Sequence, residues 1–287
     1  RRFKSYPRNQ SLLFFHNTNN SCGKFIFNLY TQSDISNSLK NLKIVKNDNI
    51  YCSSSLGMLG IPKFSIKNID DICSIFFETL LNIIGSKGTI FVPTFTYSFS
   101  TKKNSSNIFD VLNSKSKTSP FSEFVRKRSD SYRSNDPMVS ISSIGKNKNI
   151  LFEQGNSSYG KKCTFENLLK LGNLKILNIG VGTNYLPFLH YVDYKTKCSH
   201  RYNKYFSGLI VNGNKKKKVN WHYPVPYKRI EAVSNGQKVA KKARRFFYAE
   251  KLGLGNLYIS DYNKLFEFVL DLANSNPWIT ANGPPFR

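Results

Sequence analysis

The sequence has few of the residues from which metal sites and disulfide frameworks are built. Its 287 residues include only five cysteines and four histidines. The cysteines are odd in number and form no C-x-x-C pair, which argues against a thiolate zinc site and against a disulfide framework. The histidines include no H-E-x-x-H pattern. We therefore expect no metal, and we expect free thiols in a reducing cytoplasm.

Several other motifs and segments are also missing from the chain. There is no G-x-G-x-x-G fingerprint, no P-loop lysine and no G-x-S-x-G elbow, so a Rossmann dehydrogenase, a P-loop nucleotidase and an elbow-type serine hydrolase are disfavoured. The apolar run Leu12–Phe15 is too short for a signal peptide, and no segment is long enough for a membrane span. No solenoid repeat is visible. The sequence is typical of a soluble globular protein.

Acidic residues are scarce, with 17 against 43 lysines and arginines, which gives a formal net charge of +26. Such a charge attracts polyanions, acidic membranes and phosphorylated small molecules alike. A polyanion-binding protein is one hypothesis, suggested by the basic runs Lys215–Lys218 and Lys241–Arg245 beside Trp221 and Phe246 as stacking residues. No RNP, KH or zinc-finger pattern occurs, so we expect no specific nucleic acid partner.

What the chain does contain is enough apolar material for a core, with 40% hydrophobic and 14% aromatic residues. We expect a flexible arm at residues 1–23 and one domain over residues 24–287. Helical and strand patterns alternate, which predicts a three-layer α/β/α single domain with a mixed central sheet. We predict strands at Asn49–Ser54, Thr89–Tyr97, Val139–Ile144 and Leu174–Gly182, and a hairpin over Phe206–Tyr223 that turns at Asn212–Gly213. We predict helices at Asp70–Ile84, Ser119–Arg128, Lys238–Gly253 and Asp261–Asn274. The segment Asn107–Ser119 is predicted to be a loop.

The stretch LPFLHYVDY, Leu186–Tyr194, places a histidine in an apolar run just after a predicted strand. We expect Thr183 or Asn184 to cap the helix that contains this run. At helical spacing His190 and Asp193 share one face, so the carboxylate can orient the imidazole as a base. Ligands bind at the carboxyl ends of strands in α/β sheets, which favours a catalytic role. The alternative is a buried histidine that is bonded within its own turn.

Two further strings offer anion-binding groups. The Ser53–Ser55 loop follows a strand, and its backbone N–H groups are suited to a phosphate, although a plain turn is the alternative. Arg133 stands beside an Asp-Pro turn, where a guanidinium can fork onto a phosphate or carboxylate.

Taken in order, several strings resemble the aminoglycoside 3-N-acetyltransferase family over about residue 24 to the C-terminus. The portion from His190 to Gly208 is most similar to members that act on bacterial surface-polysaccharide sugars. The strings are PTFTYSF (Pro93–Phe99), FD (Phe109–Asp110), SKTSPFSEFVRK (Ser116–Lys127), YRSNDPMVSISSIGK (Tyr132–Lys146), and LHYVDY followed by RYNKYFSG (Leu189–Tyr194 and Arg201–Gly208).

This resemblance implies transfer of an acetyl group from acetyl-CoA to the amine of an amino sugar or aminoglycoside. It assigns His190 as catalytic base, with Asp193 in place of the family's glutamate and Glu231 as an alternative carboxylate. Asp136 stands where the family has a histidine. A non-catalytic relative and a homodimer stay open as alternatives. The residues that the resemblance implies for CoA binding are Ser53, Ser54, Ser55, Thr94, Arg133, Ser134 and Ser140.

Overall fold

The computed structural model describes residues 29–100 and 107–285. The predicted arm at residues 1–23 lies outside these ranges. Within them, no helix combines the length and the hydropathy that crossing a bilayer requires. The described chain forms a large mixed sheet with helices on both faces, and a second, smaller sheet.

The central sheet has seven strands, and its middle is parallel. Strand β1 (Asn49–Ser54) lies between β2 (Thr89–Pro93) and β6 (Leu174–Ile179) and runs parallel to both. All other neighbours are antiparallel, so the prediction of a mixed sheet is confirmed. The outer strands are β5 (Ile141–Gly145) and β4 (Tyr132–Arg133) beyond β2, and β10 (Gly255–Asp261) and β9 (Tyr248–Leu252) beyond β6.

Helices cover both faces of this sheet, as the predicted three-layer arrangement requires. Alternate residues of β1 enter opposite cores, with Ile50 and Cys52 in one and Tyr51 in the other, because side chains of a strand alternate between faces. The Ile50 core is shared with α1 (Gln32–Asn41), α2 (Ile69–Ile84) and α3 (Pro120–Lys127). The Tyr51 core is shared with α4 (Thr164–Leu168), α5 (Leu189–Lys195), α6 (Gly236–Ala243) and α7 (Tyr262–Ser275).

The starts of the helices follow local capping chemistry in some places and not in others. Ser119 caps α3 by accepting from the N–H of Ser122, and proline occupies the first helical position. The predicted caps of α5 are wrong. That helix begins at Leu189, is preceded by Phe188 and has no side-chain cap, because the chain first makes a tight turn over residues 182–188.

A second sheet stands beside the first and is built around a long hairpin. Strands β7 (Arg201–Asn212) and β8 (Lys215–Pro226) pair along their whole length. They turn at Gly213 with φ +57°, which confirms the predicted Asn-Gly turn. The lysines Lys215–Lys218 lie at its tip. Strand β3 (Ile108–Asp110) adds to β7 inside a segment predicted to be loop, because three residues carry too little pattern to reveal a strand.

Two predicted elements are wrong in extent. The strand predicted to end at Tyr97 stops at Pro93, which lacks an N–H, and the next residues bond instead to the backbone of residues 137–140. The long basic helix ends at Ala243, and Tyr248–Leu252 pairs with β10 as strand β9. This hairpin turns at Gly253 with φ +57°. Pairing with β10 overrides the helical propensity of the lysine-rich segment.

Candidate active site

The candidate site lies at the carboxyl edge of the parallel strands. The loop after β6 leads directly into α5, and Asn178 holds it by donating to the carbonyls of Gly182 (2.9 Å) and Tyr185 (3.2 Å). Gly180 begins the loop with φ +64°, and its Cα approaches the carbonyl of Ser55 so closely that a Cβ would lie 2.4 Å away. The loops after β1 and β6 therefore meet at this edge.

His190 and Asp193 come together on α5 as the helical spacing predicts. The distance from His190 Nδ1 to Asp193 Oδ2 is 3.3 Å. The His190 side chain is 24% exposed, whereas that of Asp193 is 2% exposed. The imidazole is thus partly exposed and contacts a buried carboxylate, which is the arrangement of an oriented base.

Asp193 is held by residues that are distant in sequence. Arg201 Nε donates to Asp193 Oδ2 at 2.7 Å, and Thr280 Oγ1 donates to Oδ1. His200 Nε2 lies 3.4 Å from Oδ1. Burial alone would raise the pKa of Asp193, but the positive charge of Arg201 and the hydrogen bonds from His190 and His200 hold this pKa well below its usual value. Asp193 is therefore ionised at neutral pH.

Arg201 also contacts the catalytic candidate itself, and sequence reasoning did not find this role. Its Nη2 lies 2.7 Å from His190 Nδ1 and 2.8 Å from Ser234 Oγ, and its Nη1 donates to the carbonyl of Pro224 at 2.9 Å. Nδ1 can donate to Asp193 or accept from Arg201, but not both. The first tautomer leaves the lone pair of Nε2 available to a substrate, and the second places a proton there.

The imidazole stays neutral at ordinary pH. Burial and the charge of Arg201 lower the pKa of His190 to about 4, and Asp193 opposes them only in part. Tyr159 packs edge-on against the ring with centroids 5.2 Å apart. A neutral imidazole can accept a proton without first losing one.

The loop predicted at Ser53–Ser55 is wrong in extent, because Ser53 and Ser54 are the last two residues of β1 and pair with β6, so only Ser55 lies beyond the strand. Ser53 is 1% exposed, and its Oγ has no hydrogen-bond partner among the described residues. Ser54 Oγ lies 3.1 Å from Ser119 Oγ, and the N–H of Ser55 donates to the carbonyl of Ile179. An orphaned hydroxyl at this edge is suited to a polar ligand.

Comparison with known families decides what kind of protein carries this site. Residues 64–273, well over half of the chain, match the family model described as aminoglycoside 3-N-acetyltransferase. The chain belongs to the aminoglycoside 3-N-acetyltransferase family. It is therefore an acyltransferase, as the resemblance of its motifs implies. A search of curated protein sequences gives no match.

Solved structures share the fold of this acetyltransferase at low sequence identity. AAC-VIa bound to sisomicin is 16% identical, with a TM-score of 0.71 over 86% of this chain and 98% of its own. AAC-IIIb with CoASH is 14% identical, with a TM-score of 0.72 over 90% and 100% of the two chains. YokD from Bacillus subtilis is 17% identical, with a TM-score of 0.69 over 87% and 95%. These matches establish the α/β architecture.

Four residues predicted to bind CoA instead form an internal network in the acetyltransferase. Arg133 donates to the carbonyls of Val111, Ser114 and Thr94 and to the hydroxyl of Ser140. Thr94 bonds to Ser140 as well, and Ser134 Oγ accepts from the N–H of Ile141. All four are at most 4% exposed. Because the guanidinium of Arg133 already donates to backbone carbonyls, this network argues against phosphate binding by Arg133.

The other two carboxylates singled out in the sequence do not reach His190 through a hydrogen bond. Asp136 accepts from the N–H groups of Met138 and Val139 and from Ser158, and burial raises its pKa to about 6. Glu231 lies in a short 3-10 turn, and its Oε2 is buried without a partner among the described residues. Among the three carboxylates singled out in the sequence, Asp193 is the one that hydrogen-bonds to His190.

One group near the site has metal-ligand chemistry, and its geometry does not suit a metal ion. Ligand atoms of Asp193, Cys198 and His200 lie within 4.8 Å of one another. Both oxygens of Asp193 already accept hydrogen bonds, one from the cationic Arg201 and one from Thr280. A metal ion there would displace these donors. It would also lie beside the Arg201 guanidinium, and repulsion between the two positive charges disfavours that position.

Of the two stacking residues proposed for polyanion binding, Trp221 is not available for that role. Trp221 is 1% exposed, and its indole N–H donates to Ser158 at 2.8 Å. Phe246 packs on Phe268 with centroids 4.6 Å apart. Burial therefore prevents Trp221 from stacking on a base, whereas Phe246 is only partly buried.

The low pKa of His190 predicts a pH-dependent loss of stability. An exposed histidine titrates near pH 6.5, so between about pH 6.5 and pH 4 the unfolded chain binds a proton that the folded chain does not. Folding free energy is therefore lost as the pH falls through this window. We expect the melting temperature of the wild type to drop more steeply between pH 6.5 and 4.5 than that of His190→Gln. Equal slopes would contradict the low pKa, because Asp136 and His222 titrate in both proteins.

Proposed function

We propose that the protein transfers an acetyl group from acetyl-CoA to the amine of an amino sugar, with His190 as general base in a ternary complex. The observation that supports this proposal is the partly exposed imidazole beside the buried carboxylate of Asp193, at the carboxyl edge of the sheet. Family membership supplies the reaction class.

The chemical step follows from the geometry of this pair. A sugar amine is protonated at neutral pH and must lose a proton before it attacks the thioester carbon. The ammonium first releases one proton to solvent, and the free amine then attacks. Nε2 of His190 accepts a second proton from the nitrogen as the carbon–nitrogen bond forms, Nδ1–H donates to Asp193, and the carbon–sulfur bond breaks. The proton then passes to the departing thiolate of CoA. Arg201 competes for Nδ1, so it controls how often the productive tautomer is present.

For acetyl-CoA we propose the loop Ser53–Ser55 as the contact. The unpartnered Ser53 hydroxyl and the junction with Gly180 support this assignment. AAC-IIIb, which shares the fold, has been solved with CoASH. CoA carries phosphates, and the net charge of +26 favours such a ligand.

The four free cysteines among the described residues support a cytoplasmic location, where a reducing environment keeps thiols free.

The acceptor has two candidate classes. AAC-VIa, which shares the fold, binds sisomicin, an aminoglycoside. The similarity of the segment from His190 to Gly208 to members that modify surface-polysaccharide sugars favours a smaller amino sugar. Both classes present the same nucleophile, an amine on a sugar ring.

The contact between Gly180 and Ser55 gives a test of the CoA loop. In Gly180→Ala the new Cβ would lie 2.4 Å from the Ser55 carbonyl, at a φ of +64° that alanine tolerates poorly. Because the loop must shift, we expect KM for acetyl-CoA to rise about tenfold or more. The matched control is Gly172→Ala, where nothing lies within 4 Å. If both variants keep the wild-type KM, the loop does not bind acetyl-CoA.

The proposed function is tested by initial-rate kinetics of thiol release from acetyl-CoA, across a panel of amino sugars and aminoglycosides. We expect turnover with at least one acceptor, and intersecting lines when both substrates are varied, as a ternary complex requires. Parallel lines would show a covalent acetyl-enzyme and would refute direct transfer. Absence of acetyl-CoA binding would favour the polyanion-binding alternative, supported by steep salt dependence.

A further inference from the structure

Carboxylates that could bind ammonium groups are scarce around His190. All 17 aspartates and glutamates of the chain lie in the described residues. Asp193 is already paired with Arg201 at 2.7 Å. Glu166 accepts from the hydroxyl of Tyr191 and from the N–H of Lys162. Asp136 is fully buried and fully engaged. Glu231 is the exception, because its buried Oε2 has no hydrogen-bond partner among the described residues.

This charge pattern is poorly suited to a polycation. An aminoglycoside carries several ammonium groups, and each one that loses water on binding requires a carboxylate or several acceptors in return. The carboxylate nearest the base is neutralised by Arg201, which itself lies 2.7 Å from His190. A second cationic group of a substrate would therefore meet a guanidinium instead of an acid.

A cationic segment lies beside the same arginine. Arg201 pairs with Pro226 at the end of β8, and the next three residues are Tyr227, Lys228 and Arg229. The N–H of Tyr227 donates to the carbonyl of His200 at 3.1 Å, which fixes the segment next to Arg201. These three residues line a shallow, open surface depression of about 430 Å³, and all of them are exposed.

The two cations of this segment have no acidic partner within the described chain. Neither Lys228 nor Arg229 forms an ion pair with the aspartates and glutamates, all of which are described. The Arg229 guanidinium lies 5.3 Å from the centroid of Tyr227, and the Tyr227 ring lies 5.1 Å from that of Tyr202. The segment thus offers two uncompensated cations on an aromatic support, which suits a phosphate.

We propose that the acceptor is an amino sugar that bears a phosphate group, with its amine at His190 and its phosphate on Lys228 and Arg229. This inference rests on the proposed acetyl transfer. The phosphate belongs either to a sugar monophosphate or to a nucleotide-linked sugar. In the second case the ring of Tyr227 is placed to contact the nucleotide.

The test compares matched acceptors at saturating acetyl-CoA. The panel contains amino sugars with a free amine in three forms, unmodified, as the 1-phosphate and as the uridine-diphosphate derivative, together with sisomicin. We expect kcat/KM to be at least about tenfold higher for a phosphorylated form than for the unmodified sugar or sisomicin, because charge-assisted hydrogen bonds to phosphate are strong. A preference for the diphosphate over the monophosphate identifies the nucleotide-linked source.

A pair of double variants tests whether the preference for a phosphorylated acceptor arises at Lys228 and Arg229. In Lys228→Gln/Arg229→Gln we expect kcat/KM for the phosphorylated acceptor to fall at least about tenfold, through KM, with little change for the unmodified sugar. Lys215→Gln/Lys216→Gln removes the same charge from the hairpin tip and should leave both values unchanged. Equal losses in the two variants, or a preference for sisomicin, would overturn the inference while acetyl transfer stands. If no acceptor is acetylated, the transferase proposal itself fails, and this inference fails with it.

Discussion

Replacing His190 with alanine lowers kcat for acetyl transfer by about 10²–10⁴-fold, the usual contribution of a positioned general base. The variant removes the proton acceptor, which is the partly exposed member of the His190–Asp193 pair, and leaves the buried carboxylate in place. Acetyl-CoA binding should persist, because the Ser53–Ser55 loop is a separate element. The measurement is single-turnover thiol release with a saturating acceptor, alongside equilibrium binding of acetyl-CoA.

His222 supplies the matched control for that result. It is also a histidine whose pKa is lowered by burial, and its two ring nitrogens lie 2.7 Å from Ser157 Oγ and 2.9 Å from Asn203 Oδ1. We expect His222→Gln to retain a kcat close to that of the wild type. If His190→Ala keeps wild-type turnover, or if His222→Gln loses as much, His190 is not the base.

Replacing Arg201 with glutamine moves the acid limb of the pH–rate profile upward. The charge of Arg201 helps to hold the pKa of His190 at about 4, and its removal leaves Asp193 as the nearest charge, which stabilises the imidazolium. The base is then lost as the pH falls through a higher value than in the wild type, although burial, the larger cause of the low pKa, still acts on the imidazole. We expect the wild type to retain its base at pH 5.5 and Arg201→Gln to lose part of it.

The same variant loses stability, because Asp193 is left buried without its counter-charge. Breaking a buried ion pair on one side costs about 3–5 kcal/mol. Arg201→Lys keeps the charge but loses the forked contacts, so we expect it to fold better and to keep the low acid limb. The measurements are melting curves and pH–rate profiles of both variants. An unshifted acid limb in folded Arg201→Gln would show that Arg201 does not set the pKa of His190.

The contact between His190 and Asp193 could be predicted from the sequence, because the two residues are close together in the chain. His190 and Asp193 lie three residues apart, and a helix brings such positions onto one face. Arg201 lies within a string that resembles the family, yet nothing in the string shows that its side chain turns back to Asp193. Thr280 lies 87 positions from Asp193 and carries no local signal. Contacts of this range are set by chain topology, which the periodicity of single segments does not encode.

Some helices and strands of the fold could be predicted from local sequence, and others depend on contacts that are distant in the chain. The helix at Ile69–Ile84 and the strand at Asn49–Ser54 were predictable because long periodic or apolar runs carry their own signal. Strand β9 was predicted as helix, because its lysine-rich surroundings favour a helix until β10 provides a pairing partner. The Arg133 network shows the same limit at the site. An arginine beside a turn suggests a ligand-binding residue. Only the fold shows that the Arg133 guanidinium already donates to backbone carbonyls.

The most direct test of the account is to quantify both products of one reaction. Free CoA thiol and N-acetylated amino sugar are measured together, by a chromogenic reagent and by mass spectrometry, for the wild type and for His190→Gln. The account predicts equal molar amounts of the two products from the wild type and at least about a hundredfold less of both from the variant. Thiol release without N-acetylated sugar, or equal yields from both proteins, would contradict it.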